Sequence, residues 1–388
     1  MDINKLKQQF INLFGNDEGN ALNVYFAPGR VNLIGEHTDY NNGYVFPCAI
    51  TYGTYMLARK NNAGIVKMAS ENFDYGAEIP IRDLSTRQPG KWMNYPLAVF
   101  DQFIQHGFQP GGIDLLYSGN IPNSSGLSSS ASIEMVTAFA LNDIYNLGFD
   151  NVELVKLSRK AENEFVGVNC GIMDQFAVGM GKKDHAIFLN CGTLEYELVP
   201  LVLSDHKIVI ANTNKQRGLA DSKYNERVEE CAKAVGYLSK CKIIKSLSDL
   251  TYQEFVDFKH HIPDIGIRKR AKHILSENHR VLDAVHVLKD NNLRVFGKLM
   301  NASHNSLRFD YEVTGYELDV MVEEARQVDG VLGVRMTGAG FGGCAIALVD
   351  NIHVDEFINK VGENYKKRTA LQPEFYISEI GDGVKKID

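Results

Sequence analysis

No two cysteines in this sequence are close enough to form a C-x-x-C motif. The six are Cys48, Cys170, Cys191, Cys231, Cys241 and Cys344, and the closest two are ten residues apart. That spacing argues against a zinc ribbon or a thioredoxin-type redox site. Long apolar runs are missing too. Nothing approaches the ~18–20 residues of a membrane span, and the opening MDINKLKQQF has no hydrophobic signal core. Reduced, mostly buried thiols in a soluble cytoplasmic protein are therefore the expectation. Positive charge is in short supply. Forty-one Lys and Arg face 48 Asp and Glu, a net charge of −7, which argues against nucleic-acid binding by phosphate neutralisation. No G-x-x-x-x-G-K-[ST] occurs, so this is not a P-loop NTPase. The protein-kinase H-R-D and D-F-G motifs are absent, and the 11 histidines contain no H-E-x-x-H.

What is present is ample material for a core. Hydrophobic residues make up 44% of 388 positions, and that length predicts two or three domains. The pattern predicts helices over 5–15 and 93–106, the latter stopped by Gly107. Strands are expected on either side of a tight turn at Pro28 and Gly29, and over 44–59, 64–69 and 112–119. Long amphipathic helices follow, over 129–147 and 151–167, with a third over 170–181. After about residue 200 the pattern restarts with HKIVIANT as a strand and 221–238 as a helix. A mostly helical stretch runs over 250–305, then strand, glycine-rich turn and strand over 331–350. A late helix and a final strand, PEFYISEI, end the pattern. Mixed elements without strict alternation point to an α+β fold.

Three segments stand out. Ile121-Pro122-Asn123-Ser124-Ser125-Gly126-Leu127-Ser128-Ser129-Ser130 lies between a strand and a helix. A helix start exposes unpaired N–H groups that bind anions, and Gly126 permits close approach. A serine-rich helix cap is the plain alternative. Gly338-Ala339-Gly340-Phe341-Gly342-Gly343 formally matches a dinucleotide loop, but a strand follows it where that loop needs a helix. A turn approaching a ligand or a facing domain fits better. Finally, Arg30 through Asn41 concentrates Glu36, His37, Thr38, Asp39 and Tyr40 after an apolar triplet. Such groups read sugar hydroxyls directionally. A polar turn after a strand is the plainer reading.

Together these segments resemble the galactokinase family, within the GHMP kinase superfamily. GRVNLIGEHTDYNNG looks like that family's signature, and IPNSSGLSSSAS looks like the superfamily ATP loop. AENEFVGVNCGIMDQFAVGMG, DSKYNERVEEC and MTGAGFGG are similar to its later segments. The resemblance implies ATP-dependent phosphorylation of α-D-galactose at its C1 hydroxyl, the first committed step of galactose catabolism, with Mg²⁺ as cofactor. It implies a two-domain GHMP fold. The N-terminal domain (1–200) would be like the second domain of a ribosomal protein and the C-terminal domain (201–388) ferredoxin-like, with the site between them. By match to the motifs, Arg30 and Asp174 would be catalytic, Arg30 neutralising charge and Asp174 accepting the sugar proton. Glu36, His37, Thr38, Asp39, Asp174 and Tyr224 would bind sugar. Ser124, Ser125, Gly126, Leu127, Ser128, Ser129 and Ser130 would hold ATP, with Ser70 nearby. Ser130 and Glu162 would bind the metal. The chain departs from the pattern at Val228, where many relatives have a second arginine after Arg227. The expected partners are galactose and Mg·ATP, with no nucleic acid and no membrane, and the chain is expected to be monomeric.

Overall fold

Period-two apolar alternation and long amphipathic helices translate into thirteen strands and eleven α-helices among the described residues. A computed structural model describes residues 1–17, 19–74, 76–88, 90–122, 125–215 and 220–387. In chain order the first half holds α1 (Ile3–Phe14), β1 (Asn23–Asn32), β2 (Tyr44–Val45), β3 (Pro47–Lys60), β4 (Ile65–Ser70) and β5 (Ala77–Pro80). It continues with α2 (Asn94–Gln105), β6 (Ile113–Gly119), α3 (Ser129–Tyr145), α4 (Asn151–Ala161), α5 (Met173–Met180), β7 (His185–Asn190) and β8 (Tyr196–Pro200). Next come β9 (His206–Asn212), α6 (Ala220–Leu238), α7 (Tyr252–Phe258), α8 (Ile265–Lys289), α9 (Leu293–Ser306) and α10 (Gly315–Ala325). The last elements are β10 (Val331–Thr337), β11 (Cys344–Asp350), α11 (Val354–Thr369), β12 (Glu374–Ser378) and β13 (Lys385–Ile387).

The strands form three sheets. Six strands are ordered β13-β1-β3-β6-β4-β5, four β10-β11-β9-β12, and three β2-β7-β8. This is the α+β architecture expected from the sequence. The first sheet packs its main core against α2, α3, α4 and α5. In the four-stranded sheet, Val209, Ala211, Ala345 and Ala347 face a helical core. Their neighbours Ile208, Ile210, Cys344 and Ile346 face the other way, onto Val31, Leu33, Phe46 and Ile50 of the first half. Strict alternation thus buries both faces, and the second face is the seam along which the site forms. The chain end returns across this seam, because β13 pairs with β1.

Four differences from the sequence pattern have local causes. The tight turn expected at Pro28 and Gly29 does not form: β1 runs through both, with a bulge that shifts its register against β3 between Pro28 and Arg30. β5 and β13 are four and three residues long, too short for a period to register. The helix expected over 151–167 widens into a π-helix at Glu162–Val166, closed by Gly167 at φ +89°. The helix expected from 170 begins only at Met173. Such π-turns gather at functional sites; this one carries Glu162 of the candidate site, and a second, Leu307–Tyr311, ends on a ring 4.8 Å from that of His37.

Candidate active site

The site begins with a close approach of backbones. A Cβ on Gly29 would lie 2.6 Å from the Leu127 carbonyl, so only glycine lets β1 run beneath the serine loop. The Arg30 N–H donates to that carbonyl at 3.2 Å. The buried Arg30 guanidinium then points along the seam. Its Nη1 donates to the Gly126 carbonyl at 2.7 Å. Its Nε and Nη2 fork onto Asp174 at 2.9 and 3.0 Å. Ser128, held at φ +61°, donates its hydroxyl to Asp174 Oδ2 at 2.6 Å. A bidentate pair with a third donor fixes the carboxylate in place. Its side chain remains 28% exposed, facing the cavity.

The turn after β1 supplies the polar wall. Gly35 and His37 both adopt positive φ, +95° and +64°. Strain of this kind at a non-glycine residue persists only where the surroundings over-determine it. His37 Nδ1 pairs with the Tyr40 hydroxyl at 2.9 Å, and its ring lies 4.8 Å from Tyr311 and 5.7 Å from Tyr224. Burial lowers the imidazole pKa to about 3, so the ring is neutral. Asp39 is raised to about 6 by burial and by the charge of Asp174. Glu36 is raised to about 7 by burial, against the pull of Arg335. Thr38 is turned inward, its hydroxyl directed at the carbonyls of Gly35 and Tyr44.

These groups surround a cavity of about 220 Å³ lined by Arg30, Glu36, His37, Asp39, Ser130, Glu162, Asp174 and Tyr224, and also by Gly171 and Ala339. A second cavity of about 150 Å³ is lined by Ser70, Asn72, Phe73, Trp92, Tyr95, Ser129 and Ser130. Ser130, in the first turn of α3, lines both. Phe73 and Trp92 stack at 6.0 Å with rings 10° apart. Asn72, Phe73, Trp92 and Tyr95 were not picked out from the sequence, whereas Gly171 and Ala339 lie in segments that were, without a role of their own. Trp92, the one tryptophan in the chain, was the available signal.

Glu162 lines the first cavity. It is buried, hydrogen-bonded to Ser130, and accepts from Gln175 Nε2 at 2.6 Å. The same amide nitrogen donates to Glu134 at 3.1 Å. Burial and the Asp174 charge push the Glu162 carboxyl up, and burial with the Glu162 charge pushes Glu134 well up. Carboxylates that raise one another in this way mark a place short of positive charge. Among the described residues, no group of three or more His, Cys, Asp or Glu is arranged to hold a metal alone. A magnesium ion fits such a place, because it binds through one or two protein oxygens and completes its shell with phosphates and water.

Of the residues expected from the sequence, Arg30, Glu36, His37, Asp39, Ser130, Glu162, Asp174 and Tyr224 meet at the first cavity, and Ser70, Ser129 and Ser130 at the second. Ser125 caps Pro122, the Leu127 side chain packs in the seam core, and Ser124 lies outside the described residues. Arg227, beside Val228, is anchored to the carbonyls of Tyr311 and Glu312.

The galactokinase galactose-binding signature matches residues 8–60, the GHMP kinases N terminal domain matches 94–182 and the GHMP kinases C terminal matches 284–367. The chain is 53% identical to a galactokinase of Clostridium tetani, covering 100% of this chain and 98% of that one. The chain belongs to the galactokinase family. A galactokinase of Bacillus subtilis is 50% identical over 99% of this chain and 98% of its own. The structure of a Lactococcus lactis galactokinase complexed with galactose superposes with a TM-score of 0.96. It shares 45% identity and covers 99% of this chain and 100% of that one. A mevalonate kinase shares the fold, with a TM-score of 0.67 at 20% identity, over 92% of this chain and 99% of its own. Those galactokinases and GHMP domains agree with the family and the fold read from the motifs. Among the described residues, no helix is long and apolar enough to cross a membrane.

Proposed function

We propose that this member of the galactokinase family transfers the γ-phosphoryl group of ATP to the C1 hydroxyl of α-D-galactose, giving galactose 1-phosphate and ADP. One observation carries the reading. The Arg30–Asp174 fork, held by Gly126 and Ser128, lines the polar cavity, which shares Ser130 with the aromatic one. The polar cavity takes the sugar, and the aromatic cavity takes the adenosine end of ATP.

Phosphoryl transfer through a loose transition state depends on positioning and charge stabilisation. Asp174 accepts the hydrogen bond of the reacting hydroxyl and orients it. Arg30 holds that carboxylate and stabilises the charge developing on the transferred group. Glu36, His37, Asp39 and Tyr224 bind the remaining sugar hydroxyls, with neutral His37 able to donate or accept. The unpaired N–H groups at the start of α3 and the Ser128–Ser130 hydroxyls receive phosphate oxygens. Ser130 and Glu162 would hold Mg²⁺, which when bound neutralises phosphate charge. Thr38 shapes the turn behind the sugar. We divide the chain near residue 200, into a sugar and ATP-loop domain and a domain carrying Gly338–Gly343. We place the monomeric enzyme in the cytoplasm, where ATP is at hand and its free thiols stay reduced.

The test is to incubate the protein with Mg·ATP and a sugar panel and locate the new phosphate by phosphorus NMR. The expected result is a C1-phosphate from galactose, with glucose a poor substrate. No turnover with galactose, or phosphate on O6, overturns the reading.

A further inference from the structure

The Arg335 side chain is among the largest in the core, with 0% exposure. It stands on β10 opposite Ile346, a residue of the seam core, so it projects from the C-terminal sheet towards the first half. Its Nη1 donates to the carbonyl of Asn32, the last residue of β1, at 2.8 Å. Its Nη2 lies 2.9 Å from Glu36 Oε2. Three residues on, the Gly338 N–H donates to the other oxygen, Glu36 Oε1, at 3.1 Å. Between them, the Thr337 hydroxyl receives the Asn32 N–H at 3.0 Å. One strand end therefore grips both oxygens of a cavity carboxylate and the strand that leads to it. Arg335 does not line the cavity itself.

We infer that Arg335 is a positioning residue for sugar recognition: from the C-terminal sheet it holds Glu36 in the orientation that presents it to a sugar hydroxyl. This rests on Glu36 binding sugar, as proposed above. The physical reason is the burial of the pair. A carboxyl group removed from water is held in one orientation by the few charged and hydrogen-bonding partners within its reach, here Arg335 and the Gly338 N–H. The planar guanidinium supplies a fork that reaches Glu36 and Asn32 together, which a lysine ammonium does not. The formal dinucleotide match at Gly338–Gly343 acquires a different purpose here, since its first glycine donates a backbone N–H to a side chain across the seam. A Cβ on Gly338 would also lie 3.2 Å from the Gly126 carbonyl, so the same turn abuts the serine loop.

The test compares Arg335→Met, Arg335→Lys and Glu36→Gln with the unaltered protein, measuring kcat and the KM of galactose and of ATP separately. Arg335→Met is expected to raise the galactose KM about tenfold or more, with the ATP KM within about twofold, because only the sugar wall loses its anchor. Arg335→Lys keeps the charge and loses the fork, so an increase of about threefold is expected. If the methionine variant fails to fold, the lysine variant decides. A galactose KM unchanged in a folded Arg335→Lys protein overturns the inference. So does a rise of both KM values together, which marks general loosening. If Glu36→Gln raises the galactose KM while the Arg335 variants do not, the coupling alone is wrong. If Glu36→Gln leaves it unchanged, the sugar role of Glu36 fails and the inference fails with it.

Discussion

Gly171 offers a clean perturbation of the wall proposed to hold the sugar. A Cβ added there would lie 1.8 Å from Asp39 Oδ2 and 2.5 Å from its Cγ. Gly171 does not occupy the left-handed region, so alanine is acceptable to the backbone and the conflict is with one side chain. For Gly171→Ala the Asp39 carboxylate must withdraw from 1.8 Å to an ordinary contact of 3.4 Å or more, a retreat of about 1.6 Å. A hydrogen bond does not survive such a displacement. Bonds to charged groups are worth ~1.5–3 kcal/mol, so losing one should raise the galactose KM by about 10- to 150-fold. Stability should change little, because Gly→Ala at a permitted conformation restrains the unfolded chain by ~0.4–1 kcal/mol and offsets part of the crowding. The assay is coupled ADP release at saturating Mg·ATP with galactose varied, alongside thermal melting. A folded Gly171→Ala protein whose galactose KM stays within about threefold of the unaltered one would refute the placement of Asp39 against the sugar.

Three further outcomes are expected. Asp174→Asn should reduce kcat to less than about one-tenth, since general-base and orienting terms are worth ~10²–10⁴-fold, and a larger residual rate would sink that role. Asp39, raised to about 6, is protonated as pH falls through that value and loses an acceptor, so galactose binding should weaken below about pH 6. The same shift works on folding with the opposite sign. The raised pKa favours the folded protein fully below the ordinary 3.8, and that contribution is lost as pH rises through about 6. A pH series of galactose KM and of melting temperature, repeated with Asp39→Asn, separates the two effects. Phe73→Ala removes a half-exposed ring stacked on Trp92. It should raise the ATP KM about tenfold, the scale of one aromatic–base contact, and leave the galactose KM unchanged.

Much of the molecule was legible because its signals are local. Gly126 and the serines before an amphipathic pattern announced a helix start, and the start of α3 lies there and lines both cavities. The density of directional side chains over 30–41 announced a polar site, and Glu36, His37 and Asp39 do line one. β5, β13 and the π-turn at Glu162–Val166 were not legible. The strands are too short for a period, and the π-turn is stabilised by what packs around it. Thr38 illustrates the same limit: its residue type fits a sugar ligand, yet its hydroxyl meets the Gly35 and Tyr44 carbonyls, a choice made by the turn.

The sequence by itself determined the function class, the α+β composition and the order of the motifs, because each rests on residues within about a dozen positions of one another. Only the tertiary structure decided which of those residues share a cavity. Arg30 meets Asp174 across 144 positions, and Glu36 meets Gly338 across 302. The first pair is brought together by α5 packing on β1, the second by the seam between two sheets, where both faces of β9 and β11 had to be buried. The −7 charge of the chain therefore says little about its anionic ligand. What matters is the start of α3, Arg30 and the buried carboxylates around Glu162, whose close spacing no linear pattern records.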